Sequence, residues 1–472
     1  MRHSIVQALT RSLLGSGIAL TLTACALHTD VPELAAGDVP DAWVAPVDEA
    51  AAAWPQNTWW DGFADPELSS LIDTIAQQNF DLANNRRTLE AAQITLREAG
   101  FELLPTGSIT LGTGASYSES RSEGSTQSSS PNVPFELGAS LSYGNIIAKP
   151  AIYTKAVADY ESRAAQSADV ALTTLGTSAS TYFQLLLIRD KITASLQNVE
   201  NAQAISNIAN ARVEAGVAVP IEALQQQIAL QREMANLSNF RQSELSALAS
   251  LALLSGTGVQ DFTVAGETLN EVTVPNVQPG LPSELLLRRP DLVQAEAQLR
   301  SSSANVDIVR TAYFPSISLT SNLSAGSTSL TELISSPETF LSLNASVVQT
   351  LLDNGQRDRN LERSQLTLES SLADYRKTVL AAFNEIEVLL SNMQVQNQLL
   401  EVAQQNLVAA EESFRIAQVR YEEGVTDFQT VLTSQNTLFS TRNSYLDTKL
   451  SQLNTSVSLY QALGGGWEKE AL

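Results

Sequence analysis

The chain is short of the residue types that do covalent chemistry or grip a metal. Its 472 residues include one cysteine, Cys25, and two histidines, His3 and His28. The usual zinc spacings and the Ser/His/Asp or Cys/His catalytic sets therefore cannot be assembled, unless His28 alone served. A disulfide within the chain is impossible. Positive charge is scarce as well: 28 Lys+Arg stand against 51 Asp+Glu, a net charge of -23. A protein that tracks phosphates needs a basic stripe to release counterions, so nucleic acid is not an expected partner. Cations and positively charged partner surfaces are more natural company. We find no phosphate loop, no metal-ligand cluster and no nucleophile beside a base, so neither an enzyme nor a cofactor is expected. Scattered carboxylates such as Glu385 and Glu387 read as solvated groups on a helix face.

A long apolar run is also missing. The N-terminus has Arg2 and Arg11, an apolar stretch from Leu13 to Leu22, then Leu22-Thr23-Ala24-Cys25. That stretch is far shorter than the roughly 20 residues of a spanning helix and reads as a secretory signal over residues 1–24. The tetrapeptide resembles the bacterial lipobox, in which the cysteine receives lipid and becomes the new N-terminus; here that residue is Cys25. An ordinary signal peptide that happens to contain a cysteine is the other reading. Removal of 1–24 leaves 26 basic against 51 acidic side chains, a net charge of -25.

What the chain does have is an internal repeat. Arg212-Val213-Glu214-Ala215-Gly216-Val217 recurs as Arg420-Tyr421-Glu422-Glu423-Gly424-Val425, an offset of 208, and Leu224, Gln227 and Leu230 meet Leu432, Gln435 and Leu438 in the same register. Asp81-Leu82 and Leu104-Pro105 match Asp291-Leu292 and Phe314-Pro315 at an offset of 210. Each half reads as a moderate helix, two strands and two long helices meeting at a glycine. The expected organisation is a lipidated extension over 25–58, a first repeat over 59–265 with strands near 107–117 and 134–144, a second repeat over 266–465 with strands near 315–325 and 339–350, and a tail over 466–472.

Residues 356–423 contain neither Gly nor Pro, and a helix of that length would run about 100 Å. Ile386, Met393, Leu400, Leu407, Phe414 and Tyr421 recur every seven residues, with Leu389, Ala403, Ala410 and Ala417 three later; Gln396 breaks the second series. Such a seam implies left-handed coiled-coil packing, with alanines that admit a close partner helix. The strands alternate: Ile109, Leu111, Ala115 and Tyr117; Phe135, Leu137, Ala139, Leu141 and Tyr143; Ile317, Leu319 and Leu323; Leu341, Leu343, Ala345 and Val347 each lie on one face, with Ser, Thr, Asn, Gly or Glu on the other. About ten residues of this period fit a strand crossing an outer membrane in a barrel, although a soluble sandwich strand has the same pattern. The lipidation signal and the polar, Ser-rich segments 118–133 and 325–338 favour the membrane. Four strands cannot close a barrel and an open edge in lipid leaves backbone groups unsatisfied, so several chains must share one barrel.

These features resemble the TolC-type outer membrane factors, and within them the lipidated OprM-like branch. The resemblance covers nearly the whole chain. It rests on Trp59-Trp60-Asp61 with Asp65-Pro66-Glu67-Leu68, Arg288-Arg289-Pro290-Asp291-Leu292, Tyr313-Phe314-Pro315, Leu352-Asp353-Asn354-Gly355-Gln356, and Arg420 to Val425. It implies an α+β membrane protein: a homotrimer with one twelve-stranded β-barrel, four strands per chain, continued by an α-helical coiled-coil tunnel across the periplasm. Tyr143-Gly144-Asn145-Ile146-Ile147-Ala148-Lys149-Pro150 departs from the family's Trp- and Asp-containing strand end. By the same resemblance Gly216, Val217, Gly424 and Val425 form the tip that meets a periplasmic adaptor, while Tyr421, Thr426, Asp427, Gln429, Thr430 and Thr433 are candidates for the periplasmic aperture. Family members often carry Asp at the positions of Thr430 or Thr433, so that acidic ring is absent here. Asp427 reads either as a nearby ring of three carboxylates or as a solvated helix-start residue.

The expected function is the outer-membrane channel of a tripartite efflux system, working with a periplasmic adaptor and a proton-driven inner-membrane pump. The same channel serving type I protein secretion or metal-ion export is the near alternative. A periplasmic adaptor lipoprotein is the alternative of a different class; it has one hairpin flanked by small β domains, whereas this chain has two hairpins and a repeat.

Overall fold

The computed structural model describes residues 29–32, 34, 39–40, 42–45, 56–113, 116–117, 131–132, 135–275, 282–327 and 329–467. Cys25, the signal segment, most of the 118–133 segment and the end of the tail lie outside them.

Seven helices and four strands carry the fold: α1 Pro66–Gln78, α2 Phe80–Phe101, β1 Thr106–Thr113, β2 Phe135–Tyr143, α3 Lys149–Glu214, α4 Pro220–Leu254, α5 Pro290–Arg310, β3 Ser316–Ser327, β4 Glu338–Val348, α6 Gln356–Glu422 and α7 Phe428–Ala462. Helices α3 and α6 run for 66 and 67 residues. Among the described residues no helix is long and apolar enough to cross a membrane. The chain divides into two compact units, one from 1–33, 90–163 and 295–375, the other from 34–89, 164–294 and 376–472. Each draws on both halves of the sequence, so the repeat is not a pair of side-by-side domains.

The first unit holds a four-stranded antiparallel sheet in the order β1-β2-β3-β4. Its register places Leu111 opposite Leu137, Ala139 opposite Leu323, and Leu323 opposite Leu341. One face therefore collects Ile109, Leu137, Leu141, Leu319, Leu343 and Val347, and in a single chain Ile109, Leu341 and Leu343 are all at least 70% exposed. The opposite face is hydroxyl-rich, with Thr106 Oγ1 to Ser142 Oγ at 2.8 Å and Ser108 Oγ to Ser140 Oγ at 2.7 Å; Phe340 and Val348 are apolar exceptions on it. Among the described residues β1 and β4 each pair on one side only.

Both strand-to-helix junctions turn on an asparagine in the left-handed region, Asn145 (φ 53°) before α3 and Asn354 (φ 53°) before α6. In the second, Asp353 accepts from Gly355 N and from Arg357 N and Nε, which starts the helix. The first has no such carboxylate; Lys149 instead bonds the Glu102 carbonyl and lies 4.4 Å from the Tyr143 ring. The departure in that segment thus changes the fastening and preserves the turn. The polar segment expected at 325–338 contains a short helix, Leu330–Ser335, because Ser329 Oγ caps Glu332 N at 3.2 Å, an S-x-x-E cap.

The second unit packs around Trp59, Trp60, Phe63, Tyr182, Phe183 and Leu251. Trp59 stacks on Tyr460 at 5.3 Å and Phe63 meets Phe183 at 5.1 Å, so the two tryptophans of the Trp-Trp-Asp segment are core while Asp61 is exposed. Asp65 caps α1 through Glu67 N and Leu68 N, with Pro66 at the first helical position. Arg289 is almost fully buried, its fork making four bonds, to both oxygens of Asp291 at 2.9 and 2.7 Å, to Glu385 at 2.8 Å and to the Ala462 carbonyl at 2.9 Å.

The reading of Glu387 is corrected by this packing, while Glu385 stays exposed on its helix. Glu385 pairs with buried Arg289, and Glu387 accepts Val44 N at 2.6 Å and Ala45 N at 3.0 Å while Trp43 sits 6.0 Å from Phe383. A helix face that looks solvated in sequence is partly covered by the N-terminal segment. In α6, Ile386, Ala410, Phe414, Ala417 and Tyr421 of the heptad seam are buried, and Met393, Leu400 and Leu407 are half-buried.

Candidate functional site: the paired helical turns

The turns joining α3 to α4 and α6 to α7 have one backbone design. Gly216 and Gly424 take φ of 72° and 76°, where a side chain is strained. In the first, Val217 N donates to Arg212 O at 3.0 Å and Gly216 N to Val213 O at 3.0 Å; in the second, Val425 N donates to Arg420 O at 2.7 Å and Gly424 N to Tyr421 O at 3.0 Å. These are Schellman closures that satisfy the last helix carbonyls. A Cβ on Gly216 would meet nothing within 4 Å, and on Gly424 only Arg212 Nη1 at 3.7 Å, so backbone conformation and not crowding requires glycine. Val217 and Val425 project outward, 66% and 60% exposed.

Tyr421 is placed inside the seam, 1% exposed, in a cluster with Ile205, Phe414, Phe428 and Val431. Its hydroxyl donates to Glu222 Oε2 at 3.2 Å, and the Arg212 guanidinium lies 4.9 Å from its ring and donates to its carbonyl at 3.3 Å. Side chains of α3, α4 and α7 thus converge on this one tyrosine of α6. Burial, then the Glu222 carboxylate, pushes its phenol up to about 12.

Asp427 is the N-cap of α7: Oδ1 accepts Thr430 N at 2.8 Å and Thr430 Oγ1 at 2.7 Å. Those bonds hold its carboxyl below the usual range. It is solvent-exposed, as are Gln429, Thr430 and Thr433; Gln429 Nε2 donates to Thr433 Oγ1 at 3.4 Å. Thr426 is half-buried and its N–H bonds Arg420 O at 3.2 Å. The structure therefore gathers Asp427, Gln429, Thr430 and Thr433 on the exposed start of α7 and separates Tyr421 from them by burial.

Sequence reading passed over Arg212 and Glu222. Arg212 stood out only as the match of Arg420, which is exposed. The available signal was the mismatch beside it: the first copy has Val213 where the second has Tyr421. Among the described residues no group of His, Cys, Asp or Glu could hold a metal ion.

Solved structures with this fold include bacterial outer-membrane channels. The Campylobacter jejuni CmeC outer membrane channel superposes with a TM-score of 0.84 over 94% of this chain and 95% of that one at 21% identity, and the outer-membrane channel OprN with 0.82 over 93% and 99% at 23%. The profile described as Outer membrane efflux protein matches residues 71–257 and 281–465, and the chain belongs to that family. The pyoverdine export outer membrane protein OpmQ of Pseudomonas putida is 30% identical over 385 residues, 80% of this chain and 81% of that protein. The chain is an outer-membrane efflux channel of the TolC type.

Proposed function

We propose that three copies of this chain form one lipid-anchored channel that passively conducts small molecules from a proton-driven inner-membrane pump and a periplasmic adaptor to the cell exterior. The observation that carries it is the sheet: four strands, apolar on one face and hydroxyl-rich on the other, with both edge strands unpaired outward among the described residues. In lipid those edges need partners, and another copy supplies them. Three copies give twelve strands.

Helix α6 supports the same closure. Besides its buried seam it carries Val388, Val395, Val402, Ala409 and Ile416, again seven residues apart, and the four larger ones are 43–58% exposed. A second apolar heptad on the outer side of a helix calls for a second helix neighbour, which a closed ring of copies provides. The exposed Val217 and Val425 at Gly216 and Gly424 suit contact with the adaptor, and the exposed start of α7 suits the aperture. Cys25 is the proposed lipid attachment. OpmQ is named for pyoverdine export, and the cargo class drawn from it is small organic molecules.

Electron micrographs of the detergent-solubilised particle test the assembly. A threefold particle with a tunnel is expected; a compact monomer without a barrel would overturn the trimeric assembly. Sensitivity of a deletion strain to small organic toxicants, against its sensitivity to metal ions and its protein secretion, then separates the cargo readings.

A further inference from the structure

Two glutamines are sealed inside the apolar seam that joins the hairpins. Gln226 of α4 and Gln435 of α7 are both 0% exposed. They stand beside the cluster of Ile205, Phe414, Tyr421, Val431 and Leu438. Gln226 Nε2 donates to the Ala202 carbonyl of α3 at 2.9 Å and reaches Gln435 Oε1 at 3.5 Å. Gln226 Oε1 and Gln435 Nε2, an acceptor and a donor, are both buried without a partner. A buried amide left half-satisfied lowers stability, and an apolar side chain of similar size would not carry that cost.

We propose that Gln226 and Gln435 form an amide lock that fixes the register of the second hairpin on the first at the expense of stability. The pair links three helices, α3, α4 and α7, at one height. The cluster beside the pair is apolar, and apolar knobs alone do not fix a register, because one replaces another a turn away. Sliding α7 by one turn, about 5.4 Å, would carry the Gln435 amide away from Gln226 and leave Gln435 Oε1 without this partner. A single polar residue in a coiled-coil seam selects one arrangement in this way. The repeat does not generate the pair: in sequence Gln435 matches Gln227, which is exposed, whereas the buried partner is Gln226. The lock is therefore a feature of how the two hairpins meet and not a relic of duplication.

The test is hydrogen exchange with mass readout on the full-length protein, together with its thermal midpoint. In Gln226→Leu/Gln435→Leu the midpoint is expected to hold or rise while amides in 205–217 and 421–439 exchange about tenfold faster, because several registers interconvert. Gln227→Leu should change neither. Exchange that is unchanged or slower in the leucine pair would overturn the lock, since a pair with only a packing role would be protected by better packing. Should the leucine pair not fold, Gln226→Met/Gln435→Met, of the glutamine's length, gives the same reading; loss of folding in both overturns the proposal, which requires apolar residues to be tolerated there. Wild type and variants are compared in the same assembly state, so the difference between them is read apart from the channel assembly.

Discussion

The two helical hairpins share a turn and little else on their surfaces. Both close with a left-handed glycine and the same pair of backbone bonds, and the motifs that encode them repeat at an offset of 208. Beyond the turn they diverge. The first return helix starts at Pro220 after Val219, which offers no side-chain cap, and exposes Ile221, Leu224 and Ile228. The second starts after Asp427, which caps through Thr430, and exposes Gln429, Thr430 and Thr433. Even the matched residues face differently, since Leu224 and Gln227 are exposed while Leu432 is half-buried and Gln435 buried. Backbone closure thus tolerates little change, and the side chains around it are free to take separate tasks.

The largest expected difference lies at Tyr421. Tyr421→Ala empties a buried aromatic site and should destabilise the second hairpin by about 3 kcal/mol or more, read as a lowered unfolding midpoint. The matching Val213→Ala, half-buried, should cost about 1 kcal/mol. Equal effects would mean that the hairpins are energetically alike after all.

The glycines should behave in the opposite way and reveal the shared element. Gly216→Ala and Gly424→Ala each force a side chain into the left-handed region, about 1–2 kcal/mol apiece, with similar midpoint shifts. A large shift for one only would show that the turn is not held by conformation in both.

A smaller effect distinguishes the hairpins at alkaline pH. The Tyr421 phenol is raised from 10.0 to about 12, so the folded state retains its proton where the unfolded state loses it. The stability this contributes is complete below pH 10 and is lost as pH rises toward 12. Tyr421→Phe should remove that part of the alkaline sensitivity and the Glu222 bond, about 1 kcal/mol. The same alkaline profile in wild type and variant would detach Tyr421 from it.

How far these differences were readable depends on whether they are local. The turn glycines, the strand alternation and the heptad from Ile386 to Tyr421 are local patterns, and the structure shows them as turns, strands and a seam buried at its ends and half-buried between. The contacts that single out one hairpin are not local. Arg212 meets Tyr421 across 209 positions and Gln226 meets Gln435 across 209, while Glu387 is covered by residues more than 340 positions away. Periodicity gives a residue's side of a helix; it does not give which helix arrives there. That is why Tyr421 could be placed both in the seam and at the aperture, and why the covering of Glu387 was missed.

The smallest structural change carries the sharpest functional question. Asp427 is bonded to Thr430 through one carboxylate oxygen and remains exposed; the first hairpin has Val219 at the corresponding N-cap. Its capping bonds hold its pKa down, so the stability it lends is present above the ordinary carboxylate range and is lost as pH falls through its lowered value. Asp427→Asn keeps a capping oxygen and removes one charge per chain, three in a trimer. If those carboxylates face the aperture, cation preference in bilayer conductance should fall while the unfolding midpoint barely moves. Unchanged ion selectivity would leave Asp427 as a helix cap alone, and the polar tip of the second hairpin would then need another explanation than the passage of ions.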